Sequence, residues 1–174
     1  TGLALDARYA SYFLRDERLE AHNNVVAVNR RNGSVLRGPN LRYWRAAKGI
    51  RDTVEMYATS RPTVEYRSAE AGDSAQAEPY IIVADRIRFK GDDRMWGGGR
   101  VTVDRSDFAS RSDSLQLDQT RGFGVLVGNP RVEGKGRQGT GGKGYTLVGT
   151  RIELVLEQRE VRLVKALGHG KATG

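Results

Sequence analysis

Residues that could do chemistry are few in this sequence, and the most suggestive lie in a glycine-rich stretch at 134–144. Gly134-Lys-Gly-Arg-Gln-Gly139 matches the Gly-x-Gly-x-x-Gly pattern of dinucleotide-binding turns. The following Thr140-Gly-Gly-Lys-Gly cannot open the helix that such a turn requires, and no strand-helix-strand unit surrounds it. Lys143 likewise lacks the serine or threonine and the helix of a phosphate-binding loop. We interpret both matches as coincidences and the stretch as a loop.

Metal ligands and nucleophiles are also poorly placed. His22 and His169 are far apart in sequence and form no His-x-x-x-His pair. No serine occupies a nucleophile elbow, and the absence of cysteine excludes disulfides, thiolate metal sites and cysteine nucleophiles. The sequence therefore predicts a protein that is not an enzyme and that holds no metal or other cofactor. Asp92 and Asp93 lie at a predicted hairpin turn, and calcium-loop spacing is lacking in Asp104, Asp107, Asp113 and Asp118.

Charge points to an anionic partner. The chain has 174 residues and a net charge of +8, carried mostly by arginine, with 38% hydrophobic residues and a mean hydropathy of -0.57. Its length is that of one domain, so we interpret 1–174 as a single domain with a lean core. Arginine suits nucleic acid, anionic lipid or acidic glycan. An arginine-favouring genome would give the same charge with no partner.

The ends and apolar runs of the chain bear on its location. No apolar run approaches the ~20 residues that span a bilayer. The first residues, Thr1 to Asp6, have neither the charged start nor the apolar centre of a signal peptide. Because the chain does not begin with methionine, we expect a processed product from which an export signal has been removed.

Alternating and valine-rich segments separated by glycine and proline predict strands along the whole chain. In the central stretch Asp113 to Val132, a strand containing Leu115 and Leu117 leads through a glycine-bearing turn to a second strand and a Gly-Asn-Pro break. Residues 6–21 fit either a strand at Tyr9 to Leu14 or a short helix, and we favour the strand. Further strands are predicted at 24–29, 34–37, 41–44, 53–59, 63–67, 80–89, 101–103, 150–157 and 161–167.

Turn residues divide these strands. Asn32-Gly33 is a strong signal for a two-residue hairpin turn. Gly38-Pro39-Asn40 predicts a break, since proline cannot donate to a sheet. The small and acidic segment at 68–78 has no apolar anchor and predicts a loop inserted in the domain, as does the glycine-rich stretch at 134–144.

An internal repeat carries most of the information. Ala84 to Phe89 resembles Ser112 to Leu117, and both resemble Gly149 to Leu154, with Asn40 to Tyr43 as a weaker copy. Equivalent apolar positions recur roughly every 30 to 45 residues, the scale of repeat architectures. A hairpin that cannot bury its own apolar face must stack on its neighbours. The repeat predicts an elongated all-β stack around a long apolar interior, with an ordinary sandwich as the alternative.

The order of these motifs is similar to that of a known family. Asp-x-Leu-x-Leu-Asp at 113–118 is followed by Leu-Val-Gly-Asn-Pro-x-Val at 126–132, then Gly-x-x-Ile-x-Leu-x-Leu at 149–156 and Ala-Leu-Gly at 166–168. Together they resemble the OstA-like/LptA domain family, which includes the periplasmic lipopolysaccharide-transport bridge protein. The acidic loop, the glycine-rich loop and the heavier positive charge depart from that family.

The resemblance implies a periplasmic β-jelly roll, elongated and incompletely closed, with an apolar groove. The groove would shield the acyl chains of lipopolysaccharide or another acylated anionic lipid, as part of a bridge between inner and outer membranes. The alternative is that the same residues fill a closed core. Rim contacts to phosphate are assigned to Arg42, Arg86, Arg88 and Arg100. The groove is assigned to Val26, Val28, Leu41, Tyr43, Ile87, Phe89, Val101, Val103, Leu115, Leu117, Ile152, Leu154 and Leu156.

Partners follow from open sheet edges, which invite another chain to continue the ladder. The resemblance implies edge-strand pairing with other OstA-like domains of the transport machinery. It also implies head-to-tail self-association through the first strands, near Tyr9 to Val28, and the last, near Val161 to Leu167.

Two other functions fit the sequence. One is a domain that binds nucleic acid or acidic glycan, using positive charge and a stacking surface of Tyr43, Trp44, Phe89 and Trp96. The other is a structural repeat module of an envelope protein with no bound lipid. We favour the lipid carrier, so nucleic acid is not the expected partner.

Overall fold

Strands and turns make up the regular structure of this chain. The computed structural model describes residues 2–67, 78–136 and 143–174, and no helix occurs in these ranges. The all-β fold class predicted from the sequence is confirmed. Nearly all of the predicted acidic loop, most of the glycine-rich loop and the second half of its dinucleotide-like match lie outside the described residues. A search of the described ranges for a helix that could cross a membrane finds none.

Sixteen antiparallel strands follow one another along the described residues. They are β1 (Leu3–Asp6), β2 (Tyr9–Phe13), β3 (Arg18–Asn29), β4 (Val35–Trp44), β5 (Glu55–Thr59), β6 (Thr63–Tyr66), β7 (Tyr80–Val83), β8 (Arg86–Lys90), β9 (Arg94–Arg105), β10 (Phe108–Asp118), β11 (Phe123–Val127), β12 (Arg131–Gly134), β13 (Tyr145–Val148), β14 (Arg151–Glu157), β15 (Glu160–Leu167) and β16 (Lys171–Thr173).

The strands form two sheets that share their longest members. The first sheet runs β1, β3, β4, β6, β7, β9, β10, β12, β13, β16, using the second halves of β3 and β9 and the first halves of β4 and β10. The second sheet runs β2, β3, β4, β5, β8, β9, β10, β11, β14, β15 and uses the other halves. The sheets are therefore joined along one side, here called the spine. The hairpin turns lie along the opposite side, here called the mouth.

The internal repeat of the sequence marks the corners of the spine. In three of these corners a polar residue donates its backbone amide to the carbonyl of a glycine, at 2.8, 3.0 and 3.0 Å. The glycines have φ of 79°, 83° and 65°, and an added Cβ would come within 2.4 Å of the polar side chain. A side chain fits neither the backbone nor the space. The three corners pair Asp85 with Gly99, Asp113 with Gly128, and Thr150 with Gly168.

β4 continues through Gly38-Pro39-Asn40, where the sequence predicted a break. Opposite the proline, β3 bulges at Asn23 and Asn24, both with positive φ. The ladder has no pair there, so the missing amide hydrogen of Pro39 costs no hydrogen bond. The proline marks a corner between the sheets, and it does not end the strand.

Other boundaries also differ from the prediction. The segment 80–89 is two strands, β7 and β8, because the chain crosses between the sheets at Asp85. Strand β1 was not predicted. Of the two interpretations of 6–21, the strand favoured above is correct, as β2.

Apolar side chains alternate along the strands and point between the sheets. The second sheet presents two inward rows of directly paired residues, a deep row at the spine and an outer row toward the mouth. The deep row is Ala21, Leu41, Ala58, Ile87, Gly97, Leu115, Leu126, Ile152 and Ala166. The outer row is Leu19, Tyr43, Met56, Phe89, Met95, Leu117, Gly124, Leu154 and Val164.

Candidate ligand-binding trough

The space between the two sheets is packed in the middle and open at both ends. A cavity of about 560 Å³, here called the N-terminal chamber, lies among the first strands of both sheets. A second cavity of about 530 Å³, here called the C-terminal chamber, lies among the last strands. Both volumes fall in the range of small-molecule sites. The trough therefore offers two separate places for a ligand.

The walls of the N-terminal chamber are mainly apolar. Leu5 and Leu36 come from the inward row of the first sheet, and Leu19, Met56 and Phe89 from the outer row of the second. These side chains are partly buried or buried. Moving hydrocarbon from water onto these apolar walls is therefore favourable, roughly in proportion to the apolar area buried.

Charged residues surround the opening of the N-terminal chamber. Arg31 forms an ion pair with Asp92 at 2.7 Å, and both side chains are exposed. Arg45 lies 3.7 Å from Glu17, and Arg159 also lines the cavity. A hydrogen bond to Tyr12 raises the pKa of Arg45, so this side chain stays charged at physiological pH. Apolar walls below a largely cationic rim suit an amphipathic anion.

Aromatic side chains form much of the wall of the C-terminal chamber. Tyr80 and Phe108 meet edge to face, with ring centroids 6.0 Å apart and planes at 87°. The ring of Tyr145 covers Gly134 on the neighbouring strand, where any side chain would collide with it. The Arg105 guanidinium lies 4.1 Å from the centre of the Tyr80 ring.

The turn between β14 and β15 and the first two residues of β15 lie between the chambers, and we call residues 158–161 the strap. Gln158 and Arg159 have φ of 49° and 64°. Arg159 lies over the ring of Tyr66 at 5.3 Å, and it donates to the carbonyl of Asp92 at 2.8 Å and to that of Arg67 at 3.4 Å. The strap, a turn of the second sheet, is thereby bonded to the first.

Glu160 adds a second set of bonds from the strap to the first sheet. Its carboxylate accepts from Arg105 at 2.7 Å and from the Tyr80 hydroxyl at 3.2 Å. That hydroxyl also accepts from the amide of Val161 at 3.2 Å. Burial alone would lower the pKa of Arg105, but hydrogen bonds to Asp107 and Glu160 outweigh it and raise the pKa.

Two tyrosines beneath the strap are perturbed by their surroundings. Burial raises the pKa of Tyr66 to about 12, although nearby Arg159 and a hydrogen bond from Gln119 oppose it. Burial likewise raises the pKa of Tyr80 to about 12. Both phenols therefore stay protonated below about pH 10 and act as neutral hydrogen-bonding groups.

The structure distributes the thirteen predicted groove residues over three places. Tyr43 and Phe89 line the N-terminal chamber. Val26 and Val28 lie on the outer face of β3, and Val25 and Ala27 point inward instead, which corrects the sequence assignment. A shift of one residue moves every side chain of a strand to the other face. The other nine are buried in the packed interior and line neither chamber: Leu41, Ile87, Val101, Val103, Leu115, Leu117, Ile152, Leu154 and Leu156.

The four predicted rim arginines do not border either chamber, which is a second correction. Arg42, Arg86 and Arg88 project from the outer face of the second sheet because their neighbours in sequence point inward. Arg100 lies at the spine, 2.7 Å from Asp85, and its hydrogen bond lowers the pKa of that carboxyl. Arg42 and Arg88 also have carboxylate partners, Glu20 at 3.4 Å and Glu55 at 3.1 Å. The alternation of apolar and charged residues within β4 and β8 already indicated that these arginines lie on the outer face.

The four aromatic residues proposed as a stacking surface are split. Tyr43 and Phe89 belong to the inward outer row, whereas Trp44 and Trp96 lie on the opposite face. They therefore do not form one platform for bases or sugars. In the described residues no group of three or more histidine, aspartate or glutamate side chains is placed to hold a metal ion.

Comparisons with known proteins find similarity only among solved structures. No protein-family model and no curated protein sequence matches the chain. Among solved structures it is similar to LptH from Pseudomonas aeruginosa, described as the LptA homologous periplasmic component of a lipopolysaccharide transport device. The overlap has a TM-score of 0.41 and 12% sequence identity, and covers 95% of this chain and 82% of that chain.

Proposed function

We propose that this protein binds an acylated anionic lipid, such as lipopolysaccharide, in the trough between its two sheets and carries it across the periplasm. The observation that supports this most directly is the N-terminal chamber, a cavity of about 560 Å³ with apolar walls and arginines at its opening. The motif resemblance described above points to the same class of ligand. The protein acts by binding, without catalysis.

The chamber matches the two ends of such a lipid. Each methylene moved from water into the chamber gains ~0.8 kcal/mol, so one acyl chain of moderate length binds firmly. Arg31 and Arg45 remain at the opening, where the phosphate or carboxylate of a headgroup stays in contact with water. Arginine binds such groups with two parallel hydrogen bonds.

Assembly into a bridge is the second part of the proposal. Within the described residues, β1 and β2 at one end and β15 and β16 at the other each pair on one side only. Their free amide and carbonyl groups can continue the ladder with another domain of this kind, or head to tail with a second copy. Tyr9, Tyr12 and Phe13 on β2 are exposed and would be covered by such a contact.

Binding is tested with a fluorescent fatty acid and with native mass spectrometry of the purified protein. Met56→Glu places a carboxylate in the chamber wall and should weaken binding about tenfold or more. Tyr57→Glu is the matched control, because Tyr57 is the adjacent residue on the outer face. Equal loss in both variants, or no binding to the parent protein, would contradict the proposal. Ile87 and Leu115 are unsuitable positions, since a charge there would unfold the core.

The salt dependence of binding distinguishes a lipid carrier from a protein that binds nucleic acid or acidic glycan. Binding of an acyl chain should persist when salt is raised, whereas binding to nucleic acid or acidic glycan falls steeply. A protein that binds none of these ligands would be a structural module. Association is followed by light scattering over a range of concentrations, and a strict monomer at high concentration contradicts the head-to-tail contact.

A further inference from the structure

The strap lies between the two chambers of the trough. We propose that Arg159 and Glu160 of the strap determine how long a hydrocarbon chain the N-terminal chamber accepts, by closing the passage to the C-terminal chamber. The inference rests on the proposed lipid function. It assigns a specificity role to residues outside the predicted groove.

Two residues of the strap, Arg159 and Val161, face different chambers. Arg159 and Tyr66 line the N-terminal chamber. Val161, Tyr80 and Arg105 line the C-terminal chamber. The contacts of Arg159 with Tyr66 and of Glu160 with Arg105 therefore lie between the two cavities. A chain that fills the first chamber meets these contacts before it reaches the second.

Polar contacts hold the strap in place, and they are weak enough for the turn to move outward. Gln158 is exposed, and the side chains of Arg159 and Glu160 are only partly buried. Their bonds run to two carbonyls, one guanidinium and one phenol. Each hydrogen bond contributes a modest net free energy, because water can replace the protein partner once the turn moves outward. The apolar rows below it stay packed when these bonds break.

The backbone of the turn favours movement as a unit. Both central residues are in the left-handed region, as in two-residue hairpin turns that match strand twist. The hairpin keeps this geometry whether or not its side chains reach the first sheet. On the far side of the second sheet from β2, β15 pairs only with β14 among the described strands, so its edge is free to shift. The strap can therefore open without unfolding the sheet.

The experiment compares saturated fatty acids of increasing length, from about eight to about eighteen carbons, by displacement of a fluorescent acyl probe. In the parent protein affinity should rise with length and then level off, because added methylenes find no apolar surface beyond the strap. Arg159→Gln should move this plateau to longer chains and raise affinity for the longest about tenfold. Lys165→Gln is the control, since it removes one positive charge from the exposed part of the same hairpin.

A plateau at the same length in all three proteins would overturn the inference and leave lipid binding intact. Failure of the parent protein to bind any fatty acid would overturn both proposals. A second measurement does not depend on loss of the arginine. The chain contains no cysteine, so Gln158→Cys allows one fluorescent label at the tip of the strap. Long chains should change its emission and short chains should not, and equal responses to both would contradict strap opening.

Discussion

The spine and the mouth of this trough are made from the same strands but are specified differently. The three strong copies of the internal repeat use one arrangement at the spine, in which a polar residue donates its amide to the carbonyl of a glycine with positive φ. At the mouth, each bridge between the sheets uses a different set of side chains. These bridges are Arg31 with Asp92, Gln119 with Tyr66, Arg159 with Tyr66 and Arg67, and Glu160 with Arg105 and Tyr80.

This difference indicates what each side contributes. The spine fixes the fold, because its geometry depends on backbone groups and on glycines that tolerate no side chain. The mouth sets access to the interior, because side-chain bonds can exchange with water. Experiments that perturb one side at a time should therefore separate stability from ligand access.

The largest effect is expected from Gly128→Ala at the spine. Gly128 has φ of 83°, and an added Cβ would lie 2.4 Å from the Cβ of Asp113. Neither atom can move without shifting the backbone, so we expect the free energy of unfolding to fall by about 3 kcal/mol. Urea denaturation followed by circular dichroism measures this change.

Gly49→Ala is the matched control for that prediction. Gly49 has a similar φ of 79°, but no atom lies within 4 Å of its added Cβ. It should cost about 1 kcal/mol, the backbone contribution alone. Equal losses in the two variants would mean that the close approach at the corner is unimportant, and the proposed distinction between spine and mouth would lose its basis.

Alkaline pH should weaken the mouth before the spine. The pKa of Tyr66 and of Tyr80 is about 12 in the folded chain, above the ordinary value of 10.0. The folded state thus holds these protons more tightly, so their stabilisation is complete below pH 10 and is lost as pH rises from about 10 through about 12. The melting temperature should fall over this range, and less steeply in Tyr66→Phe. An unchanged slope in that variant would contradict the assignment.

The sequence was sufficient to predict the all-β class and, in several strands, which face is buried. Leu115 with Leu117 and Ile152 with Leu154 alternate with polar residues, so only one face of each strand is apolar. The repeat predicted a stack of hairpins, and the structure places its polar and glycine residues at three corners where the chain crosses between the sheets. Short sequence patterns therefore predict the features that depend on neighbouring residues alone, such as the buried face of a strand.

Other features depend on contacts that no local pattern contains. In the run at 25–28 all four residues are apolar, so alternation cannot tell which face is buried. The bulge at Asn23 and Asn24 decides it. The bridges of the mouth join residues far apart in sequence, such as Arg105 and Glu160, and arginine is too frequent here for its role to be recognised by type. The chambers and the strap therefore became visible only in three dimensions.

The smallest effect is expected from two exposed ion pairs, one on each side of the trough. Arg31 at the mouth and Arg100 at the spine each lie 2.7 Å from a carboxylate, and each side chain is 72% exposed. Solvent screens such pairs, so Arg31→Gln and Arg100→Gln should each leave the melting temperature within about 2 °C of the parent. Thermal denaturation at low and at moderate salt provides the measurement.

The comparison of these two variants tests where the strength of the spine resides. If its corners depend on glycine and backbone bonds, removing Arg100 should matter no more than removing Arg31, although Arg100 makes several hydrogen bonds to Asp85. A much larger loss for Arg100→Gln would move the source of stability from the backbone of the corners to their charges. Spine and mouth would then differ only in the number of ion pairs, and both would weaken together as salt is raised.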